Sequence, residues 1–326
     1  MALQSPNRTR SNRSGDRPSS TAARSRVRRV RRLTRTDKVV LTLMIGVPTL
    51  VHLAFVWAPT LASVALSFTE WSGFGGLETI EWRGLQNYED IATAYPPFWP
   101  ALLHNACWMA FFFVVPTSLG LLLAYLLDKN LKGTRIYQSA IFLPVVLSMA
   151  IVGFIWELVY QQETGLLNNV VRATVDPDFG PNWLADSSIN LWAVLVAASW
   201  RHVGYVMILF LAGLKSVDPN LKEAAALDGA GEWATFRHVV FPSLAPVNVV
   251  VMVITIIESL RAFDLVYVIN GGRNGLELLS VLVTDNVIGE ASLIGYGSAL
   301  AVVLLGISLV VIMPYIYRVF RKDLRR

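Results

Sequence analysis

The 326-residue sequence has one cysteine, four histidines and few charges, and each scarcity removes a class of answer. Cys107 has no partner within the chain, so no intramolecular disulfide staples the fold, and its place in an apolar run suits a small buried hydrophobe. His52, His104, His202 and His238 are scattered without metal-site spacing, which leaves helix packing or surface solvation as their roles. No G-x-x-x-x-G-K-[ST] phosphate loop occurs, "KGTR" at 132 and "GLKS" at 213 being unrelated, so the chain is not expected to hydrolyse ATP by itself. Charged residues make up 16% and hydrophobic residues 54%. That balance is too apolar for an ordinary soluble domain, and a membrane is the expected solvent.

A bilayer core about 30 Å thick needs about 20 apolar helical residues. Six segments qualify, near 40–67, 101–127, 136–160, 189–214, 239–269 and 293–317, which predicts an all-α integral membrane protein with six transmembrane helices. "TLASVALS" after the first segment resembles a signal-peptidase site, but the charge-free run from Val39 to Thr69 is much longer than a signal core, so it is kept as a span. Residues 1–38 hold twelve Arg or Lys, many Ser, Thr and Asn, and hardly a large apolar side chain. They are expected to form a disordered basic arm, with 39–326 as the transmembrane domain. The arm lacks the interleaved aromatics of a nucleic-acid binder and abuts a span, where basic residues set orientation and attract anionic lipid.

With the N-terminus inside, the stretches 1–38, 128–135, 215–238 and 318–326 fall on the cytoplasmic side and carry twenty-three Lys or Arg. The opposite loops carry only Arg83, Arg172 and Arg273, so both termini are expected in the cytoplasm. Trp57, Trp71, Trp82, Trp99, Trp156 and Trp183 cluster toward the external ends, as an interfacial aromatic belt would. Gly120 and Gly153 fit close helix packing.

A polar, helix-prone stretch, "LKEAAALDGAGEWATFRHVVFPSLAP" (221–246), lies between the fourth and fifth segments, on the cytoplasmic side. Asp218 can N-cap a helix with Pro219 at its first position, and Gly229 ends it. A second short helix follows and is expected to stop at Pro242. Leu221, Ala225, Trp233 and Phe236 are available for packing, either as an amphipathic connector on lipid headgroups or as a docking element for another protein.

The order of residues in this stretch is Glu223-Ala224-Ala225, three residues, Gly229, nine residues, then Val239-Val240-Phe241-Pro242. It resembles the EAA signature of the permease subunits of binding-protein-dependent ABC importers, E-A-A, three residues, G, nine residues, I-x-L-P, with Val239 for Ile and Phe241 for Leu. "WRGLQNYED" (82–90) is similar to the G-L-x-N-Y element of sugar-type permeases, and "AFDLVYVINGG" (262–272) to their F-D…G-G run. Ile269 and Arg273 depart from the family's usual residues there. The likeness covers roughly residues 40–320.

The resemblance implies a type I importer of the carbohydrate-uptake branch in a bacterial plasma membrane. The implied partners are a second homologous permease, two ABC ATPase subunits that hold ATP and Mg²⁺, and an extracytoplasmic solute-binding protein. This chain would bind no cofactor itself. The EAA helices would sit in a cleft of the ATPase, with Glu223 in a charged contact, Ala224 and Ala225 permitting close approach, Gly229 supplying the bend and Pro242 closing the motif.

Charged groups at bilayer depth cost about 2.5–3.5 kcal/mol each on insertion, so those in the fourth and fifth segments need partners or a wet cavity. Arg201, His202 and Tyr205 share one helical face; Glu258 and Arg261 share another, with Asn248 and Thr255 near it. As pathway residues they would hydrogen-bond a polyhydroxylated solute, with Tyr205 against a sugar ring. As packing residues Arg201 would pair with Glu258, and Arg261 with Asp264. The expected cargo is a sugar or oligosaccharide, with a glycerol phosphate ester as alternative. Two other classes compete: a membrane-embedded enzyme, for which Glu157, Glu258 and Asp264 are too dispersed, and an ion-gradient-driven secondary transporter.

Overall fold

The computed structural model describes residues 34–129, 132–289 and 292–323, so most of the basic arm lies outside the described residues. Contacts divide the chain into two units, Met1–Phe55 and Val56–Arg326.

In the first unit, α1 (Arg35–His52) opens on a capping box. The Asp37 N–H donates to Thr34 Oγ1 at 3.1 Å and the Thr34 N–H to Asp37 Oδ2 at 2.9 Å. Arg35 to Lys38, which the composition assigns to the arm, are therefore the first helical turn. No residue of α1 is buried, and Leu43, Met44, Ile45 and Leu50 stand exposed, a surface suited to lipid rather than to water.

In the second unit, α2 (Ala58–Leu66) leads into a two-residue antiparallel ladder, β1 (Thr69–Glu70) on β2 (Glu81–Trp82), a small departure from the all-helical expectation. α3 (Gln86–Thr93) follows, and here the G-L-x-N-Y element gains a physical explanation. Buried Asn87 donates to the carbonyls of Ser67 and Thr69, both at 2.9 Å, and Tyr88 donates to Ser67 Oγ at 2.7 Å. The motif ties the loop to the end of α2.

The 31-residue α4 (Phe98–Asp128) runs through Pro116, which cannot donate to the Phe112 carbonyl four residues back. Thr117 Oγ1 donates to it instead, at 2.8 Å, which leaves that carbonyl paired. The expected third span is broken: α5 (Thr134–Val146) and α6 (Met149–Tyr160) meet at 102°. Pro144 weakens the last turn of α5, Leu147 is extended, and Ser148 N-caps α6 by accepting the Ile151 N–H at 3.3 Å. α7 (Leu166–Thr174) lies in the following loop, where Arg172 donates to the carbonyls of Gln162, Glu163 and Phe179.

The central helix is α8 (Asn190–Ser216). Beyond it come α9 (Pro219–Leu227), α10 (Glu232–Thr235), a π-helical turn over Phe236–Val240, α11 (Phe241–Ser243) and α12 (Ala245–Leu260). α13 (Asp264–Asn270), α14 (Leu279–Val287) and α15 (Ile294–Asp323) complete the described residues. The second short helix, expected to stop at Pro242, runs one residue further to Ser243; the chain bends at Leu244, and Pro246 lies in the first turn of α12. The fifth segment is bent by 70° between Glu232–Ser243 and Ala245–Asn270 and is interrupted again at Arg261–Phe263.

Among the described residues, four stretches are long and apolar enough to cross a membrane: Arg35–Leu66, Phe98–Asp128, Asn190–Ser216 and Ile294–Arg318. The expected six is reached if each bent pair is one span.

Packing centres on α8. A Cβ added at Gly120 of α4 would lie 2.6 Å from Val206 Cγ1 and 3.1 Å from the Met207 backbone nitrogen. On α8 itself, Gly204 faces the Ile141 carbonyl of α5, and Gly153 of α6 meets Val268 of α13. Ala124, Leu127, Met207, Phe210 and Leu214 form the core beside Gly120, and it reaches α12 through Val251. Overpacking of this kind costs about 1–3 kcal/mol. Gly120→Val should therefore lower the thermal stability of the detergent-solubilised protein markedly, whereas Gly306→Ala, where nothing lies within 4 Å of the added carbon, should leave it unchanged or slightly raised.

Candidate functional site

Where α12 ends, Arg261 leaves the helix (φ −90°, ψ 3°) and three residues pass before α13 begins. This break lies beside α8 and opens a cavity of about 240 Å³. Its walls are Trp108 and Phe112 of α4, Met149 of α6, Ala198, Arg201 and His202 of α8, Glu258 of α12, and residues Arg261 to Leu265. Two arginines and two carboxylic acids thus share a space with aromatic faces.

The cavity brings together four of the seven residues expected to line a pathway: Arg201, His202, Glu258 and Arg261. His202 is also a bridge, with Nε2 3.2 Å from Thr255 Oγ1 on α12 and its ring 4.6 Å from that of Phe112. Thr255 is fully buried behind that bond and does not line the cavity. Nor does Tyr205, one turn further along α8, or Asn248, ten residues before Glu258 and so about 15 Å away along α12. Shared helical face was a sound guide to direction but not to depth.

The anticipated ion pairs are not formed. Among the described residues no salt bridge joins Arg201 to Glu258 or Arg261 to Asp264, and Arg201 Nε is buried without a hydrogen-bond partner. Trp108, only 2% exposed, likewise has an unpartnered indole N–H. Both residues line the cavity, but these two nitrogens are themselves enclosed, so each would need a side-chain shift to meet a water or a solute hydroxyl. Trp108, Phe112, Met149, Phe263 and Asp264 are cavity residues that the sequence analysis did not assign. The i, i+4 spacing of Trp108 and Phe112, whose rings are 5.8 Å apart, was the one available signal.

The second site is the 218–243 stretch. Asp218 Oδ1 accepts the Asn220 N–H at 2.9 Å and Pro219 opens α9, as the residue types predict. At its other end Gly229 has φ +80°, the Ala230 N–H reaches the Ala225 carbonyl at 2.9 Å, and the Gly229 N–H the Ala226 carbonyl at 3.1 Å. This is a Schellman cap, which needs a left-handed residue at that position and explains the glycine.

Glu223 and Ala224 are exposed, but Ala225 packs inside the chain. Phe236 is also turned inward, its ring 4.8 Å from that of Tyr125 on α4. The large apolar side chains left outward are Leu221, Leu227, Trp233 and Phe241, with Trp233 70% exposed. Ion pairs flank this surface: Lys222 Nζ is 3.2 Å from Asp128 Oδ2, and Lys129 Nζ is 2.7 Å from Glu232 Oε2. The hydrogen bond that the Lys129 ammonium donates to Glu232 holds it above its ordinary pKa, and Lys129 also lies over the Tyr125 ring at 4.9 Å.

Residues 117–326, which include the cavity's α8 and α12 walls and all of this stretch, match the family described as binding-protein-dependent transport system inner membrane component. The chain belongs to this family. As a member it is a multi-pass membrane permease. Its relatives include the probable ABC transporter permease protein YurN of Bacillus subtilis, 33% identical over 81% of this chain and 90% of the relative. The xylose/arabinose import permease protein XacH of Haloferax volcanii is 32% identical, covering 85% and 87%. The arabinooligosaccharides transport system permease protein AraP of Bacillus subtilis is 34% identical, covering 71% and 74%. A chain of a bacterial ABC transporter that imports the acidic polysaccharide alginate shares the permease's fold, with a TM-score of 0.74 at 18% identity over 88% of this chain and 96% of that one.

The cavity geometry has a direct chemical test. In a Cys107→Ala background, Glu258→Cys or Arg261→Cys in the permease should be modified by a membrane-impermeant charged thiol reagent, because both positions line the cavity. Thr255→Cys should stay unmodified behind His202.

Proposed function

We propose that this permease is one of two homologous subunits that form the pathway of an ATP-driven importer, and that it passes a sugar or oligosaccharide delivered by an extracytoplasmic binding protein. The cavity is the observation that carries the cargo class. It offers the faces of Trp108, Phe112 and Phe263 for a sugar ring, and Arg201, Glu258, Arg261 and Asp264 for its hydroxyls. Two bases against two acids leave no net positive charge, which favours a neutral polyhydroxylated solute over a phosphate ester. The names of XacH, a xylose/arabinose import permease, and AraP, of an arabinooligosaccharides transport system, agree with that class.

Coupling is assigned to the 218–243 stretch. Exposed Glu223 and Ala224, with Leu221, Leu227 and Trp233, present a mixed charged and apolar surface to a cleft of an ATPase subunit, which supplies ATP and Mg²⁺. Two such subunits serve the two permeases. The excess of Lys and Arg in the stretches on this side supports a cytoplasmic location for both termini and this loop, in a bacterial plasma membrane.

The test is solute-stimulated ATP hydrolysis and uptake by the complex reconstituted with its binding protein. Proline cannot adopt the φ of +80° at residue 229, so Glu223→Lys with Gly229→Pro should destroy both the charge and the cap. The expected variant assembles in the membrane but loses stimulation and uptake. Unchanged uptake that runs on an ion gradient, without any ATPase, would overturn the importer in favour of a secondary transporter.

A further inference from the structure

The 218–243 stretch is joined covalently to only two long helices, α8 before it and α12 after it. Its attachment to α4, which supplies Trp108 and Phe112 to the cavity, is made by side chains alone. We propose that Asp128 and Lys129, adjacent at the end of α4, are positioning residues that carry movement of the coupling helices into this span. Asp128 holds α9 through Lys222, and Lys129 holds α10 through Glu232.

Three observations support this assignment. Successive helical residues point about 100° apart, so one dipeptide reaches two different helices, one on each side of the Gly229 turn. The charges alternate, acid to base and base to acid, so a slip that exchanged partners would set like charges together. The grip is also placed where something can move: a cavity of about 270 Å³ lies beneath it, lined by all four charged residues together with Tyr125 and Phe236. The Lys129–Glu232 pair is exposed and adds little to folding stability, and the Lys222–Asp128 pair is only part-buried, its side chains 37% and 21% exposed, so stability alone is a poor account of two pairs meeting on one dipeptide.

The inference rests on the coupling role given to this stretch above. Its test uses the full reconstituted complex with its binding protein and transported solute, and reads ATP hydrolysed per solute molecule taken up. Asp128→Lys, Lys222→Asp, Lys129→Glu and Glu232→Lys should each raise that ratio about 5- to 10-fold, within the range of ordinary coupling effects. The paired exchanges, Asp128→Lys with Lys222→Asp and Lys129→Glu with Glu232→Lys, should bring it back toward wild type. Single variants that leave the ratio unchanged, or exchanges that assemble without restoring it, would overturn the proposal.

Where a charge reversal prevents assembly, a second measurement decides. Asp128→Cys with Lys222→Cys, in a Cys107→Ala background, is joined by a short bis-methanethiosulfonate, which releases sulfinate and leaves a reducible disulfide at each cysteine. If α4 and α9 travel together, uptake survives the cross-link. Loss of uptake that a reductant reverses would show that the two helices part during the cycle and that the link is not rigid. Wild-type complex in the same preparation separates the two levels: no ATP-driven uptake there defeats the importer reading and this inference with it, while normal wild-type uptake beside unaffected variants defeats this inference alone.

Discussion

The packing of α4 on α8, closed to backbone distance at Gly120, is the contact on which the rest of the second unit depends. In lipid, apolar surface gains nothing by leaving water, so helices are held by close van der Waals fit and by the few polar groups they share. The absence of a side chain at Gly120 lets Val206 and the Met207 backbone approach, and Gly204 on α8 does the same toward α5. With α8 fixed between these neighbours, His202 is placed to meet Thr255 on α12 and the Phe112 ring on α4. One buried imidazole therefore links three helices at the level of the cavity.

At that same level the fold tolerates what a bilayer otherwise forbids. Irregular backbone at membrane depth survives only where it is enclosed by protein or lines a wet space. The break at Arg261–Phe263 is both: Leu265 and Val266 behind it are buried, and Arg261 and Asp264 on its open side are exposed. Arg261 itself keeps the helical register, its N–H 2.9 Å from the Ile257 carbonyl, and the chain turns only after it. Asp264 is thereby carried off α12 to open the next helix, and the four charged groups share the cavity wall with no salt bridge from Arg201 to Glu258 or from Arg261 to Asp264.

Periodicity and residue type made the helical class, the Asp218–Pro219 start and the Gly229 end legible, because each is decided by local chemistry: a carboxylate that caps, a ring that needs no donor, a backbone angle that glycine tolerates. The cavity was half legible. Charges inside apolar segments pointed to Arg201, His202, Glu258 and Arg261, since their cost demands an explanation. Trp108 and Phe112 carried no such signal, being ordinary residues of an apolar helix until α8 is packed beside them. The bends were legible only in part. The turn expected at Pro242 falls two residues later, at Leu244, whereas the break between α5 and α6 went unread, because it takes Pro144 in the last turn of one helix together with a Ser148 cap on the next. A proline states what bond is missing; the structure decides whether something replaces it.

Pro116 shows the consequence for α4. The carbonyl that it orphans belongs to Phe112, a cavity residue, and Thr117 restores that bond with a rotatable hydroxyl in place of a rigid amide. The one backbone bond that α4 lacks through Pro116 therefore falls beside the cavity wall. From there the helix runs uninterrupted to Asp128, sixteen residues and about 24 Å away. In the coupling proposed for Asp128 and Lys129, a displacement at that end must pass the Gly120 contact, half-way along, before it reaches the aromatic wall, so α4 can move toward the cavity only together with α8.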